Sequence, residues 1–256
     1  MNFGELLSYL RGPILHDDSQ QIAGSASDAL WSDETLATNI NEAIRRWCRR
    51  TLAIRDASTA AVCQVTLVEG QTDYTLHPSI ISVISAKRSG TPGDLMRAGH
   101  SIFDQYQTVD TRFWDPTYFT EWPPGAVLAY STDEEVRNEG GSPGLVTMRV
   151  YPEPDATMDG ETINLRVVRG PIDPLTLDDL TAIPEIPEDN HIEVLDWAAY
   201  LCLRTVDLDE GAPDRAKEFA ATFETNADLA RRIALSKMFA PKKWGFGRNG
   251  WGGYER

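Results

Sequence analysis

The chain has 256 residues, and its 41% hydrophobic and 25% charged content suits one large or two small globular domains with a sizeable core. A formal net charge of −15 argues against wrapping duplex DNA, which needs a basic footprint, although an acidic surface lets the polymer pass without sticking. No apolar run reaches the ~18 residues of a membrane helix, the start MNFGELLSYLRG lacks the pattern of a signal peptide, and three cysteines without CxxC spacing point to a reducing compartment and no structural zinc.

Phe3, Leu6, Leu7 and Leu10 fall at helical spacing, with Asn2 and Glu5 as a capping pair, and Arg11-Gly12-Pro13 is expected to end this first helix. A polar loop follows from His16 to Asp28. The next helix starts at an N-cap, Ser32, with Asp33 and Glu34 in its first turn and Trp31 and Leu36 at the spacing of a hydrophobic staple. Leu36, Ile40, Ala43, Ile44 and Trp47 make its apolar face; Arg45, Arg46, Arg49 and Arg50 cluster on the other side. From Val62 to Arg169 short β-rich runs alternate with turn signals: Val62–Glu69, Tyr74–Leu76, Ile80–Lys87, Ala126–Ser131, Leu145–Tyr151 and Thr162–Val168. Ser101–Gln107 reads as a helical turn or two among them. Pro184-Glu185-Ile186-Pro187 is a rigid extended lead-in to a third helix, on which Ile192, Leu195, Ala199, Cys202 and Val206 keep helical spacing. Asp207–Gly211 breaks it. Pro213 opens the last helix, whose stripe is Ala216, Phe219, Ala220, Phe223, Ala227, Ala230 and Ala234, and Pro241 closes it.

The predicted fold class is therefore α+β. The N- and C-terminal helices form one bundle, an antiparallel β-sandwich or barrel is inserted between them, and an extended C-terminal tail follows. The boundaries are a helical part over 1–60, a β-rich insert over 61–175, a second helical part over 176–240 and a tail over 241–256.

That tail, PKKWGFGRNGWGGYER, holds five glycines, four aromatics (Trp244, Phe246, Trp251, Tyr254) and four basic residues, among them Lys242, Lys243 and Arg248, against one acid. It carries about +3, which leaves the rest of the chain near −18. Glycine keeps such a segment from folding alone, and exposed aromatics beside cations on a free tether suit a docking peptide better than a frayed terminus.

Catalysis needs a positioned nucleophile, acid, base or metal. Of the four histidines, His16, His77 and His100 lie in loops or turns. His191 stands beside Glu188, Asp189 and Glu193 without matching HExxH, and is expected to be a capping or surface residue. No GxSxG, Walker A or GxGxxG occurs. Asp207, Asp209 and Glu218 take the first, third and twelfth places of a calcium-loop register, but Ala212 stands where glycine is required, so acidic capping of a helix break is the better reading. Asp173 to Asp214 holds twelve acids and one base, Arg204, with no spacing that singles out a catalytic pair. It reads as a solvated face or as a surface that the four arginines of the second helix meet on a neighbouring copy; within one chain those arginines could equally pair with local acids, or with nothing. No catalytic residue, metal or cofactor is expected.

Several segments resemble the head-to-tail adaptor (connector) proteins of tailed bacteriophages, called tail tubular protein A in short-tailed phages. They are the opening Glu5-Leu6-Leu7 helix, Trp31-Ser32-Asp33-Glu34 leading to Asn41-Glu42-Ala43, and Pro184-Glu185-Ile186-Pro187-Glu188 leading to Asp196-Trp197-Ala198. Leu76-His77-Pro78 with the Ile80–Ile84 run, and Val150-Tyr151-Pro152-Glu153-Pro154, also match. The resemblance implies a structural, non-enzymatic virion protein of the neck, assembled in the cytoplasm of the bacterial host. It implies a ring, dodecameric in the family, between the portal protein and tail tube or nozzle proteins, with the genome passing through without specific binding. On this reading the tail and the arginine face are the partner-binding residues. Two other function classes remain at this point: a cell-wall or carbohydrate-active enzyme on the β-domain, and a single-strand nucleic-acid binder using the tail.

Overall fold

The computed structural model describes residues 1–17, 29–97, 124–132, 146–205 and 212–238. The class is α+β, with five helices and two four-stranded sheets among the described residues.

Helix α1, Phe3–Tyr9, is held by a capping box: Asn2 Oδ1 accepts from the Glu5 amide at 2.8 Å, and the Asn2 amide donates to Glu5 Oε2 at 2.9 Å. Arg11-Gly12-Pro13 does not end the helix as expected. The chain widens into a π-helical turn over Leu10–Ile14 with Pro13 inside. A proline ring strikes the carbonyl four residues back in an α-helix, and the wider turn, with the Leu15 amide donating to Leu10 O at 3.0 Å, avoids that clash. Helix α2, Asp33–Thr51, begins at Ser32, whose hydroxyl accepts from the Thr35 amide at 3.2 Å, and ends at Leu52 in the left-handed region. Arg11 donates to Trp31 O and Asp33 Oδ1, fixing the π turn against the start of α2.

Strand β1, Ile54–Asp56, is too short to show a period in the sequence. It falls before residue 61 but pairs with β8, Thr162–Arg169. The run expected to be a strand from Val62 starts instead as a helical turn, α3 (Ala60–Cys63), and only Gln64–Thr66 is extended as β2. β8 is the centre of the first sheet: β4 (Ile80–Arg88) pairs along one edge, β1 and β2 with the two ends of the other. The second sheet runs β3 (Asp73–Thr75), β7 (Thr147–Tyr151), β6 (Ala129–Thr132), β5 (Met96–Arg97). The β5–β6 pair is parallel, so the sheets are not purely antiparallel, and neither closes into a barrel. Tyr74, Val83, Tyr130, Met148, Ile163 and Val167, from both sheets, meet in one hydrophobic cluster. Ser101–Gln107 lies outside the described residues.

After Pro187 the chain makes a 3-10 turn, Glu188–Asn190, and enters α4, Glu193–Thr205; α5 spans Ala212–Met238, with Pro213 in its first turn. α2, α4 and α5 touch one another pairwise. With α1 they enclose a second cluster built on Phe3, Leu36, Ile40, Trp47, Leu195 and Phe223. Ile54 of β1 belongs to this helical cluster, and Ile81 of β4 packs against it, so the first sheet touches both cores.

Candidate functional site

The cationic side of α2 is only partly free. Arg46 donates to Glu224 Oε1 of α5 at 2.8 Å and lies 3.7 Å above the Trp197 ring of α4. Arg50 donates to the other oxygen of Glu224 and lies 3.4 Å from Asp228 Oδ1. Burial opposes ionisation of Glu224, but the bonds and charges of the two arginines outweigh it and hold the carboxyl below its usual range. Trp197 in turn packs on Phe223, which meets Trp47 edge-on at 5.5 Å. These two arginines therefore bind three helices of one chain together. Arg45, 3.8 Å from Glu42, and Arg49 remain exposed and point to solvent. The sequence did not reveal Glu224 as the partner, because it stands 178 and 174 positions away.

A second ionic cluster joins the two cores. Arg169 at the end of β8 donates from Nε to Asp56 Oδ2 at 2.8 Å and from Nη1 to Gly170 O and Glu185. Asp56 Oδ1 accepts from the Ser58 and Thr59 amides at 2.9 and 3.1 Å. Burial works against its charge, yet these amides and Arg169 keep its carboxyl far below the ordinary range. Nearby, burial and the Glu185 charge push the Cys48 thiol up to about 12, and burial raises Cys63 and Cys202 to about 11, so all three stay protonated thiols at neutral pH.

The segment from Pro171 to Ile192 carries six of the twelve acids of the Asp173–Asp214 stretch. Asn41 of α2 clamps it by two reciprocal bonds, Nδ2 to Leu175 O at 2.8 Å and the Leu175 amide to Oδ1 at 2.9 Å. Between α2 and this segment lies a groove of about 340 Å³ whose walls include Ile44, Pro171, Ile172, Leu175 and Ile183. The amides of Phe3 and Gly4 donate to Ala182 O and Leu180 O, so α1 supports the segment from behind. His191 was expected at the surface or as a cap, but it is buried. Its Nε2 lies 3.1 Å from Ile186 O and its Nδ1 3.1 Å from the Met1 amine, which also reaches Glu188. On α4, burial and then the Glu193 charge push Asp196 up to about 6.

Lys242, Lys243, Trp244, Phe246, Arg248, Trp251 and Tyr254 lie outside the described residues, as do Asp207 and Asp209 of the calcium register. Glu218 is exposed on α5. Among the described residues no group of three or more His, Cys, Asp or Glu side chains could hold a metal ion, and no helix is long and apolar enough to cross a membrane.

A family model described as SU10 adaptor protein matches residues 1–242, a span that takes in both cores and the acidic segment. No curated protein matches the chain.

Proposed function

The chain belongs to the SU10 adaptor protein family, a family of phage head-to-tail adaptors, and from that premise we propose that it forms a ring between the portal and the tail. The role is structural rather than catalytic. The observation that carries the proposal is the family match across 1–242, which spans both hydrophobic cores rather than one motif. The ring's lumen is acidic, in keeping with the net charge of −15, and repels DNA in transit instead of trapping it.

The C-terminal tail docks on the portal through Trp244, Phe246, Trp251 and Tyr254, with Lys242, Lys243 and Arg248 setting its charge. Ordering the tail costs backbone entropy at every residue, which the four buried aromatics offset only in part, so the cationic contacts and the many tails of one ring supply the rest of the affinity, and the adaptor assembles on the portal rather than alone. Tail tube or nozzle proteins contact the opposite side of the ring. Arg45 and Arg49, the exposed members of the α2 arginines, meet the acidic surface between Asp173 and Asp214 of the next copy.

Light scattering after gel filtration, on the protein mixed with the portal from the same genome and on each alone, tests the reading. A stable complex with many copies of this chain is expected; a well-folded chain that never associates overturns it. Deleting the segment from Pro241 is expected to abolish assembly with an unchanged circular dichroism spectrum, and full assembly by the truncated chain would sink tail docking. Arg45→Glu with Arg49→Glu is expected to weaken assembly, most at low salt. Assembly unchanged at low and high salt removes that contact.

A further inference from the structure

Two exposed aliphatic patches of opposite charge sit on elements that flank α2. The first belongs to the segment after β8. Two successive turns, in which the Asp179 amide donates to Thr176 O at 3.2 Å and the Ala182 amide to Asp179 O at 3.4 Å, leave Leu177, Leu180 and Ile183 exposed, Ile183 by 69%. Asn41 and the amides of Phe3 and Gly4 hold the segment from behind, so this patch is fixed before any partner arrives. Residues 171–183 hold three acids and neither Lys nor Arg.

The second patch is the end of α5. Past the Arg50–Asp228 contact the helix continues over residues 229–238, about 15 Å, beyond the C-terminal end of α2. Arg55 Nη2 steadies this end by donating to Ala234 O at 2.8 Å. Leu229 and Ile233 are exposed on it, one turn apart, the spacing by which a helix anchors in a partner's surface. Arg232 is exposed beside them, and residues 229–238 hold three basic residues and no acid. Among the described residues, Asp178 and Arg232 belong to no ion pair. Asn41, which holds the first patch, stands about 140° and 180° around α2 from Arg46 and Arg50, which hold α5.

We propose that the end of α5 in one copy docks on the turns at 176–183 of the next copy. Leu229 and Ile233 cover Leu177, Leu180 and Ile183, and Arg232 meets Asp178. A second copy is the occupant because each patch supplies the charge that the other lacks, and clustered exposed aliphatics mark a surface with a partner. The acidic patch turned on itself would set Asp178 against Asp178, so the contact is head-to-tail rather than two-fold. Faces on opposite flanks leave each copy one of either kind to offer, the arrangement that closes into a ring. This contact rests on the ring reading and gives the ring its repeating joint. Arg45 and Arg49 lie on the strip of α2 between the two flanks, so their contact with the next copy borders it.

The test uses the full chain carrying Leu180→Cys with Ile233→Cys, both on the portal and concentrated alone, treated with a short bismaleimide. The three native cysteines are buried, and the substituted side chains are exposed, so the fold is kept and circular dichroism checks it. A ladder of crosslinked multimers is expected from the double variant and none from either single one. Adding Arg232→Glu or Asp178→Arg is expected to cut the ladder about fivefold, as for the loss of about 1 kcal/mol of ionic attraction. The two together are expected to restore it, which a merely structural effect of either would not do. A many-copy portal complex that yields no ladder, or a ladder from either single variant, overturns the contact and leaves the ring reading standing. A ladder with rescue in the concentrated chain but no portal complex defeats the portal reading alone. Neither a complex nor a ladder defeats both.

Discussion

Asp196 shows how one side chain sets a pH dependence. An unfolded chain ionises this carboxyl near 3.8, whereas the folded protein holds its proton up to about 6, because burial and the neighbouring Glu193 disfavour the charge. Between those values the folded state binds the extra proton, so its contribution favours folding at low pH and is lost as pH rises towards 6 and beyond. Asp196→Asn is therefore expected to stabilise the protein by about 1–3 kcal/mol at pH 7 and to change nothing near pH 3. Urea unfolding at the two pH values measures this. Equal effects at both would show that the charge is not the cause.

At the scale of elements, what the sequence made legible was local. Asn2 with Glu5, and Ser32 with the apolar stripe of α2, are caps and periodicities within a few residues of each other, and each forms as read. Ser32→Ala removes the acceptor for the Thr35 amide and is expected to cost about 1 kcal/mol, measured by thermal or urea unfolding. A loss below a few tenths would mean that the other contacts at Trp31 and Asp33 hold the helix start without it. The misread elements owe their state to partners elsewhere. Ile54–Asp56 is a strand because β8 pairs with it, not because three residues carry a pattern. Ala60–Cys63 makes a helical turn where a short apolar run suits strand and helix equally. Of the candidate interaction residues, the exposure of Arg45 and Arg49 followed from helix geometry. The capture of Arg46 and Arg50 depended on a third helix, and the groove on a loop clamped by Asn41.

For the molecule as a whole, the Asp56–Arg169–Glu185 network stands between the helical and β clusters and ties them into one unit. Asp56 has a depressed folded pKa, so its stabilisation is complete above about pH 4 and is lost as pH falls below that value. Asp56→Asn leaves Arg169 buried with half its compensation and is expected to cost about 3 kcal/mol at neutral pH, with a flatter loss of stability in acid. Followed by tryptophan fluorescence and far-ultraviolet circular dichroism, the parent is expected to unfold in one step and the variant in two. Coincident transitions in the variant would show that the cores are coupled by packing alone.

The placement of β8 at the centre of its sheet also governs when the protein can exist during synthesis. Its partners β1, β2 and β4 are all made first and must wait, edges open, for residues 162 to 169. Trp47 waits longer still, until Phe223 of α5 has been made. A nascent chain therefore cannot complete either core early. Its exposed strands are a period of aggregation risk for the ribosome-bound product. A chain cut before residue 162 would lack the centre of its first sheet, and one cut before Phe223 would lack the ring that closes on Trp47, so such truncated copies cannot complete their cores.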